Sequence, residues 1–263
     1  MKNEAGNALV IVDPQNDFCD PRGALYVEGA ADDIERLAKH IRGRGGGYSD
    51  IIISLDSHDV IAVFHPGFWL DEKSEHPAPF TSITPDDYKR GKWHAAAREN
   101  EVKAKRLFDV LGDKGVESLT IWPEHCVVST WGHQIADPLR DAVGSWRKIT
   151  GKPVRYVLKG ENPYTDQFSI FEGVDDSWSD TMFNESLAKR LAESETVTFS
   201  GEALSHCVES SISSYMRKLQ ENGGDEQSVR LLVDCTSPVA GFDGELSLDR
   251  LVVLGVEFVR SDS

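Results

Sequence analysis

Short runs of apolar residues, each closed by a polar or acidic residue, recur along this chain and are separated by stretches with helical periodicity. ALVIVD (8–13), DIIISLD (50–56), SLTIW (118–122), VRYVLK (154–159), TVTFSG (196–201) and VRLLVD (229–234) are the six. Such continuous runs are buried on both faces, which is the signature of a covered parallel sheet rather than a half-solvated antiparallel one. Between the first two, Ala30, Ile34, Leu37, Ala38 and Ile41 recur at helical spacing until Gly45 to Gly47 stops the helix. Further helices are expected near 134–147, 184–194, 206–220 and 244–254. The pattern predicts an α/β fold, a three-layer α/β/α arrangement with a six-stranded, mostly parallel sheet, forming one domain over 1–263. Residues 59–117 break the rhythm. Their aromatics and prolines (FHPGFW, EHPAPF) followed by a charged helical stretch read as an ordered insertion folded over the sheet edge or the site.

The 263 residues carry a formal net charge of −16, which argues against nucleic acid or an anionic membrane as partner and leaves a small molecule. Cys19, Cys126, Cys207 and Cys235 are widely spaced with no CxxC pair, so neither a zinc ribbon nor a disulfide framework is expected. The polar start MKNEAGN and the short ALVIV run read as neither a signal peptide nor a membrane span, and a reduced, cytosolic setting is expected.

In an open parallel sheet, functional residues gather at the carboxyl ends of the strands. Here those ends carry Asp13, Asp56, Trp122, Lys159 and the 201–207 loop. Cys207 joins an apolar strand to an amphipathic helix, where free backbone N–H groups and the helix dipole favour a thiolate. Alone, Cys207 reads equally as a small buried apolar residue, Asp13 as a turn cap and Lys159 as a solvent-pointing strand end. Together they read as thiol, base and cation. In LDSH, Asp56 and His58 are two apart and point to the same side of an extended segment. With His65 and His125 they form a carboxylate–imidazole set suited to zinc, iron or manganese. Phe18 and Trp122 lie beside these residues and suit either a flat ring or core packing. His40, His76, His94 and His133 lack such context.

DPQNDF after a strand, a lysine–glycine pair after a later strand and G-x-A-x-x-x-C at a strand-to-helix turn resemble the isochorismatase-like cysteine hydrolases. The D-x-H, the second histidine and WPEHC resemble the nicotinamidase/pyrazinamidase branch. The resemblance runs from about residue 8 to 260, apart from the insertion. It implies Cys207 as nucleophile with Asp13 and Lys159 completing a triad, and an oxyanion hole from the N–H groups of Ala203 and Cys207. A cis peptide bond would fall at Glu202–Ala203. It further implies one divalent metal held by Asp56, His58, His65 and His125, and substrate contacts from Phe18, Gln15 and Trp122. The implied reaction is hydrolysis of nicotinamide to nicotinate and ammonia through a thioester, in a homo-oligomer. Hydrolysis of another small amide or ureido compound and an inactive binding homologue are the alternatives. Two departures stand out. Leu204-Ser205 replaces the family's frequent Thr-Asp, and six residues separate His58 from His65 where the family spacing is shorter.

Overall fold

The structure is a computed structural model that describes residues 6–224 and 227–263. In chain order the strands are β1 (Asn7–Val12), β2 (Tyr48–Asp56), β3 (Trp69–Asp71), β4 (Ser82–Ile83), β5 (Trp93–Ala95), β6 (Leu119–Thr120), β7 (Arg155–Lys159), β8 (Thr196–Gly201), β9 (Ser228–Leu232) and β10 (Glu257–Val259). The helices are α1 (Asn16–Cys19), α2 (Ala30–Arg44), α3 (Pro85–Lys89), α4 (Glu101–Asp113), α5 (Asp137–Thr150), α6 (Glu185–Ala192), α7 (Glu209–Glu221) and α8 (Gly244–Val253). No helix among the described residues is long and apolar enough to cross a membrane.

Six strands form one sheet in the order β10-β9-β8-β1-β2-β7, and every pairing in it is parallel. Alternation along β1 explains the layers. Leu9 and Ile11, with Ile51 and Ile53 of β2, face α2 and α5, where Leu37, Ile41, Leu139 and Trp146 close one core. Val10 and Val12 turn to the other face and join Val197 and Phe199 with Tyr215 of α7 and Leu251 of α8. Both faces are therefore apolar, as a doubly covered sheet requires.

The expected six strands are there in number, but one membership differs. SLTIW does not enter the central sheet. Only Leu119–Thr120 of it is extended, and it pairs antiparallel with β4, inside the insertion. The sixth central strand is instead β10, an edge strand whose Glu257 and Phe258 are exposed. With only three residues and two of them exposed, β10 leaves no continuous apolar run in the sequence, whereas Leu119 and Ile121 are buried in the insertion's own packing and mimic one.

The 59–117 region is ordered. The β3–β5 and β4–β6 pairs, with α3 and α4, bury Phe68, Trp69, Ile83, Leu107 and Phe108 in the same core as α2 and α5. At the carboxyl edge of the sheet the backbone turns sharply. Asp13 has φ 41, Gly160 φ 72 and Gly201 φ 107. A side chain at Gly201 would put Cβ 2.1 Å from the Val12 carbonyl oxygen, so β1 and β8 approach there only because Gly201 has none. Asp13 takes the left-handed region with a full side chain, an uncommon conformation that fixes where its carboxylate points.

Candidate active site

Four strand ends converge on Lys159. Its side chain is fully buried, and Nζ lies 2.9 Å from Asp13 Oδ2, 2.7 Å from Asp56 Oδ1 and 3.4 Å from Cys207 Sγ. It also donates to the Gln167 carbonyl at 3.2 Å. A buried ammonium is stable only with such partners. Asp13 and Asp56 overcome the burial that would lower Lys159, and hold it well above its ordinary value.

Asp13 is fully buried as well. Ser54 Oγ donates to its Oδ1 at 2.7 Å and in turn accepts from the Asp13 N–H at 3.0 Å. Its other oxygen faces Lys159 without the alignment of a hydrogen bond, and so keeps a lone pair free for a proton. Carboxylate oxygens of Asp13 and Asp56 and the Cys207 sulfur all lie within 4.8 Å of one another. Burial pushes the Asp13 carboxyl above the ordinary range, and Lys159 only partly opposes it.

At Cys207, burial opposes the thiolate that the helix end and Lys159 favour. Burial pushes the thiol well above its ordinary value, and the negative charges of Asp13 and Asp56 add to this while Lys159 alone opposes it. The helix end also differs from the expected simple start. Leu204–Val208 form a wide turn ahead of α7, in which the Val208 N–H reaches back five residues to the Ala203 carbonyl at 3.2 Å. Wide turns of this kind recur at functional sites. The Glu202–Ala203 peptide is cis, and the Ala203 N–H makes no hydrogen bond among the described residues.

Asp56 links this thiol group to the histidines. Its Oδ2 lies 3.0 Å from His58 Nε2 and 3.7 Å from His125 Nε2. His58 Nδ1 is 3.0 Å from the Gly160 carbonyl, and His125 Nδ1 is 2.8 Å from the Pro123 carbonyl. Carbonyl acceptors behind both rings fix the tautomer that leaves Nε2 open, the usual support behind a metal-binding imidazole. Asp56, His58 and His125 thus fit a divalent cation. His65 lies outside this group of three. Its Nδ1 faces the Asp59 and Val60 carbonyls, and its Nε2 is 3.4 Å from His125 Nδ1. Burial lowers His65 to about 3, so it stands as a neutral ring behind His125.

A pocket of about 410 Å³, counted with its open mouth, leads to Cys207. Phe18, Phe64, Trp122 and Phe168 line it together with His58, His125 and Asp56. Gln15 does not reach it. Its amide nitrogen donates to the Asp56 carbonyl at 2.8 Å, and its amide oxygen accepts from the Asp56 N–H at 2.7 Å. The expected substrate contact is instead a brace that presents Asp56, because both ends of the amide are already taken.

Other residues of the site were not singled out from the sequence. Ser54 was visible as the lone hydroxyl within an apolar run. Asp17 ties the WPEHC loop down by accepting from the Cys126 N–H at 2.6 Å. Cys126 itself contributes a left-handed turn, φ 48, and no exposed thiol. Asp166 and His206 line the pocket, where burial raises Asp166 to about 6 and lowers His206 to about 4. Neither carries a spacing signal, since both arrive on irregular chain.

No family model matches the chain. The nicotinamidase of Saccharomyces cerevisiae is 26% identical over 202 residues, 76% of each chain. Solved as yeast nicotinamidase Pnc1p bound to the inhibitor nicotinaldehyde, it superposes with TM-score 0.66 at 20% identity over 97% of this chain and 99% of that one. The nicotinamidase/pyrazinamidase of Mycobacterium tuberculosis is 29% identical over 255 residues, 97% of this chain and 98% of that protein. A pyrazinamidase of Pyrococcus horikoshii, solved in complex with zinc, superposes with TM-score 0.56 at 21% identity, covering 97% of this chain and 98% of that one. These likenesses bear out the fold and the resemblance drawn from the motifs.

Proposed function

We propose that this chain is a nicotinamidase-like member of the isochorismatase-like cysteine hydrolases, converting nicotinamide to nicotinate and ammonia. The observation that carries the reading is the position of Lys159, which touches Asp13 and also Cys207 and Asp56, two residues that line an aromatic pocket. One buried cation thereby joins a thiol–carboxylate pair to a carboxylate–histidine group.

The chemistry follows from the charges. Attack by Cys207 needs its thiol proton removed, and Asp13 is the carboxylate within reach, its Oδ2 without a hydrogen-bond partner among the described residues. Its raised affinity for protons makes it a stronger base than a free carboxylate. As the sulfur–carbon bond forms, the thiol proton passes to Asp13 and the amide carbonyl becomes an oxyanion. The N–H groups of Ala203 and Cys207 face that charge in this reading, an effect worth about 3–4 kcal/mol per donor where it has been measured. Asp13 returns the proton to nitrogen, the carbon–nitrogen bond breaks and ammonia leaves. A water deprotonated by Asp13 then cleaves the thioester, giving nicotinate and restoring the thiol. Lys159 stays protonated throughout and offsets the charge of both carboxylates.

A divalent ion held by Asp56, His58 and His125 would supply Lewis-acid contact to the substrate ring and so orient it. Zinc, iron and manganese all suit this donor set. Phe18 and Trp122 provide apolar walls for the ring, and the narrow slot sets the carboxamide against Cys207.

Ammonia release from nicotinamide, measured before and after treatment with a chelator, tests the reading. The expected result is turnover that falls on chelation and returns with added zinc or manganese. Release of ammonia only from a ureido compound would replace nicotinamide by that substrate class.

A further inference from the structure

Two exposed phenyl rings pack against side chains that line the pocket, and the chemistry at Cys207 uses neither. Phe80, from the insertion, is 60% exposed, and Phe242, from the loop before α8, is 44% exposed. Both converge on Trp122. The Phe80 ring meets the indole edge-on with centroids 6.0 Å apart, and the Phe242 ring tilts against it at 6.2 Å. Phe242 also meets His206 edge-on at 4.4 Å, and His206 is itself 5.2 Å from Trp122. Trp122, His206 and Val239 line the pocket, and the Phe242 N–H donates to the Val239 carbonyl at 3.0 Å. The exposed rings are thus seated directly on Trp122 and His206, which line the pocket.

Phe80 is held there at a cost. Its φ is 67, a region that a bulky residue rarely occupies. Its N–H donates to the Ile121 carbonyl at 2.5 Å, and the Ile121 N–H reaches the Thr81 carbonyl at 2.8 Å. The segment β4–β6 therefore clamps Phe80 beside Trp122 instead of letting it turn into a core. A strained backbone that keeps a phenyl in water is unexplained by packing, since that ring buries little.

We propose that Phe80, Trp122 and Phe242 form an aromatic outer subsite that accepts the second ring or apolar ring substituent of an extended aryl carboxamide whose amide lies at Cys207. The inference rests on the amidase reading and adds its substrate class: ring-fused and ring-substituted aromatic amides as well as single-ring ones. Aromatic rings pair favourably at centroid distances of about 4.5–7 Å, and both phenyls already stand within that range of the indole. The subsite offers apolar and π contacts, so it selects an uncharged arm.

The test is binding of nicotinamide and of quinoline-3-carboxamide by calorimetry, in a Cys207→Ala background that cannot turn either over. Turnover of both compounds by the Cys207 enzyme is measured beside it. The Phe80→Ala and Phe242→Ala double variant is expected to weaken quinoline-3-carboxamide about tenfold while changing nicotinamide less than about threefold. Phe80→Gly, which removes the ring and suits the backbone, is expected to show the same selectivity with unchanged folding. An equal loss for both amides, or no loss for either, would overturn the subsite. Failure of the amidase reading shows separately, as absent ammonia release with the binding preference intact.

Discussion

At the residue scale, Cys207, Asp13 and Lys159 carry different burdens, and single changes separate them. In the proposed mechanism Cys207→Ala removes the nucleophile, and it takes only one sulfur from the core around α7. Turnover is expected to fall by roughly 10⁴-fold or more. Metal content, read by elemental analysis, is expected to stay unchanged. Lys159→Ala strips the partner from two buried carboxylates, which is expected to destabilise the protein by about 3–5 kcal/mol in urea denaturation. The pH dependence follows from Asp13. As the base it must be ionised, and burial raises its affinity for protons, so activity is present above its folded pKa and lost as pH falls through it. The acid limb of kcat/KM is therefore expected above 3.8, the ordinary aspartate value. A limb at or below that value would remove Asp13 from the role.

At the scale of elements, the loop between β7 and α6 supplies Asp166, Gln167 and Phe168 to the pocket, and it is strapped to the insertion. Arg106 of α4 donates to Asp175 Oδ2 at 2.6 Å, and Trp178 Nε1 donates to the same oxygen at 2.8 Å. These bonds outweigh the burial that would raise Asp175 and lower it to about 2. A depressed carboxylate stabilises the folded state above its unfolded value, and the gain is lost as pH falls through the folded one. The urea midpoints of the native chain and Asp175→Asn should therefore differ at neutral pH and converge between about pH 4 and 2. A gap independent of pH would show that the bonds at Asp175 do not depend on its charge.

The elements also show what a sequence can and cannot display. β1, β2, β8 and β9 were legible because burial writes itself as an apolar run, and β7, although an edge strand with Tyr156 and Leu158 exposed, keeps the apolar residues of VRYVL. β10 was not, since it is only three residues long and exposes Glu257 and Phe258. SLTIW misled because the insertion has an apolar interior of its own. Within the site, Asp13, Lys159 and Cys207 were legible from their places at strand ends. Gln15 was seen but misplaced, because its partner is the Asp56 backbone and a backbone partner leaves no mark in the sequence. The surroundings of the Cys207 thiol were only partly legible for a related reason. Helix-end position is a local property, whereas burial beside Asp13 and Asp56 exists only once distant strands meet.

Over the whole molecule, the parallel sheet acts as a single platform. β1, β2 and β7 deliver Asp13, Asp56 and Lys159 at adjacent carboxyl ends, with Asp56 paired to Lys159 in the ladder itself. β8 brings the Cys207 turn to the other side of β1. One sheet thus brings the Cys207 thiol, the Asp13 and Asp56 carboxylates and the Lys159 ammonium together. The central claim is that Cys207 forms a thioester with the acyl half of a carboxamide. Mass spectrometry of enzyme quenched in acid during nicotinamide turnover tests this most directly. The expected result is a nicotinoyl adduct on the peptide containing Cys207. Sustained ammonia release with no such adduct, undiminished in Cys207→Ala, would contradict the account.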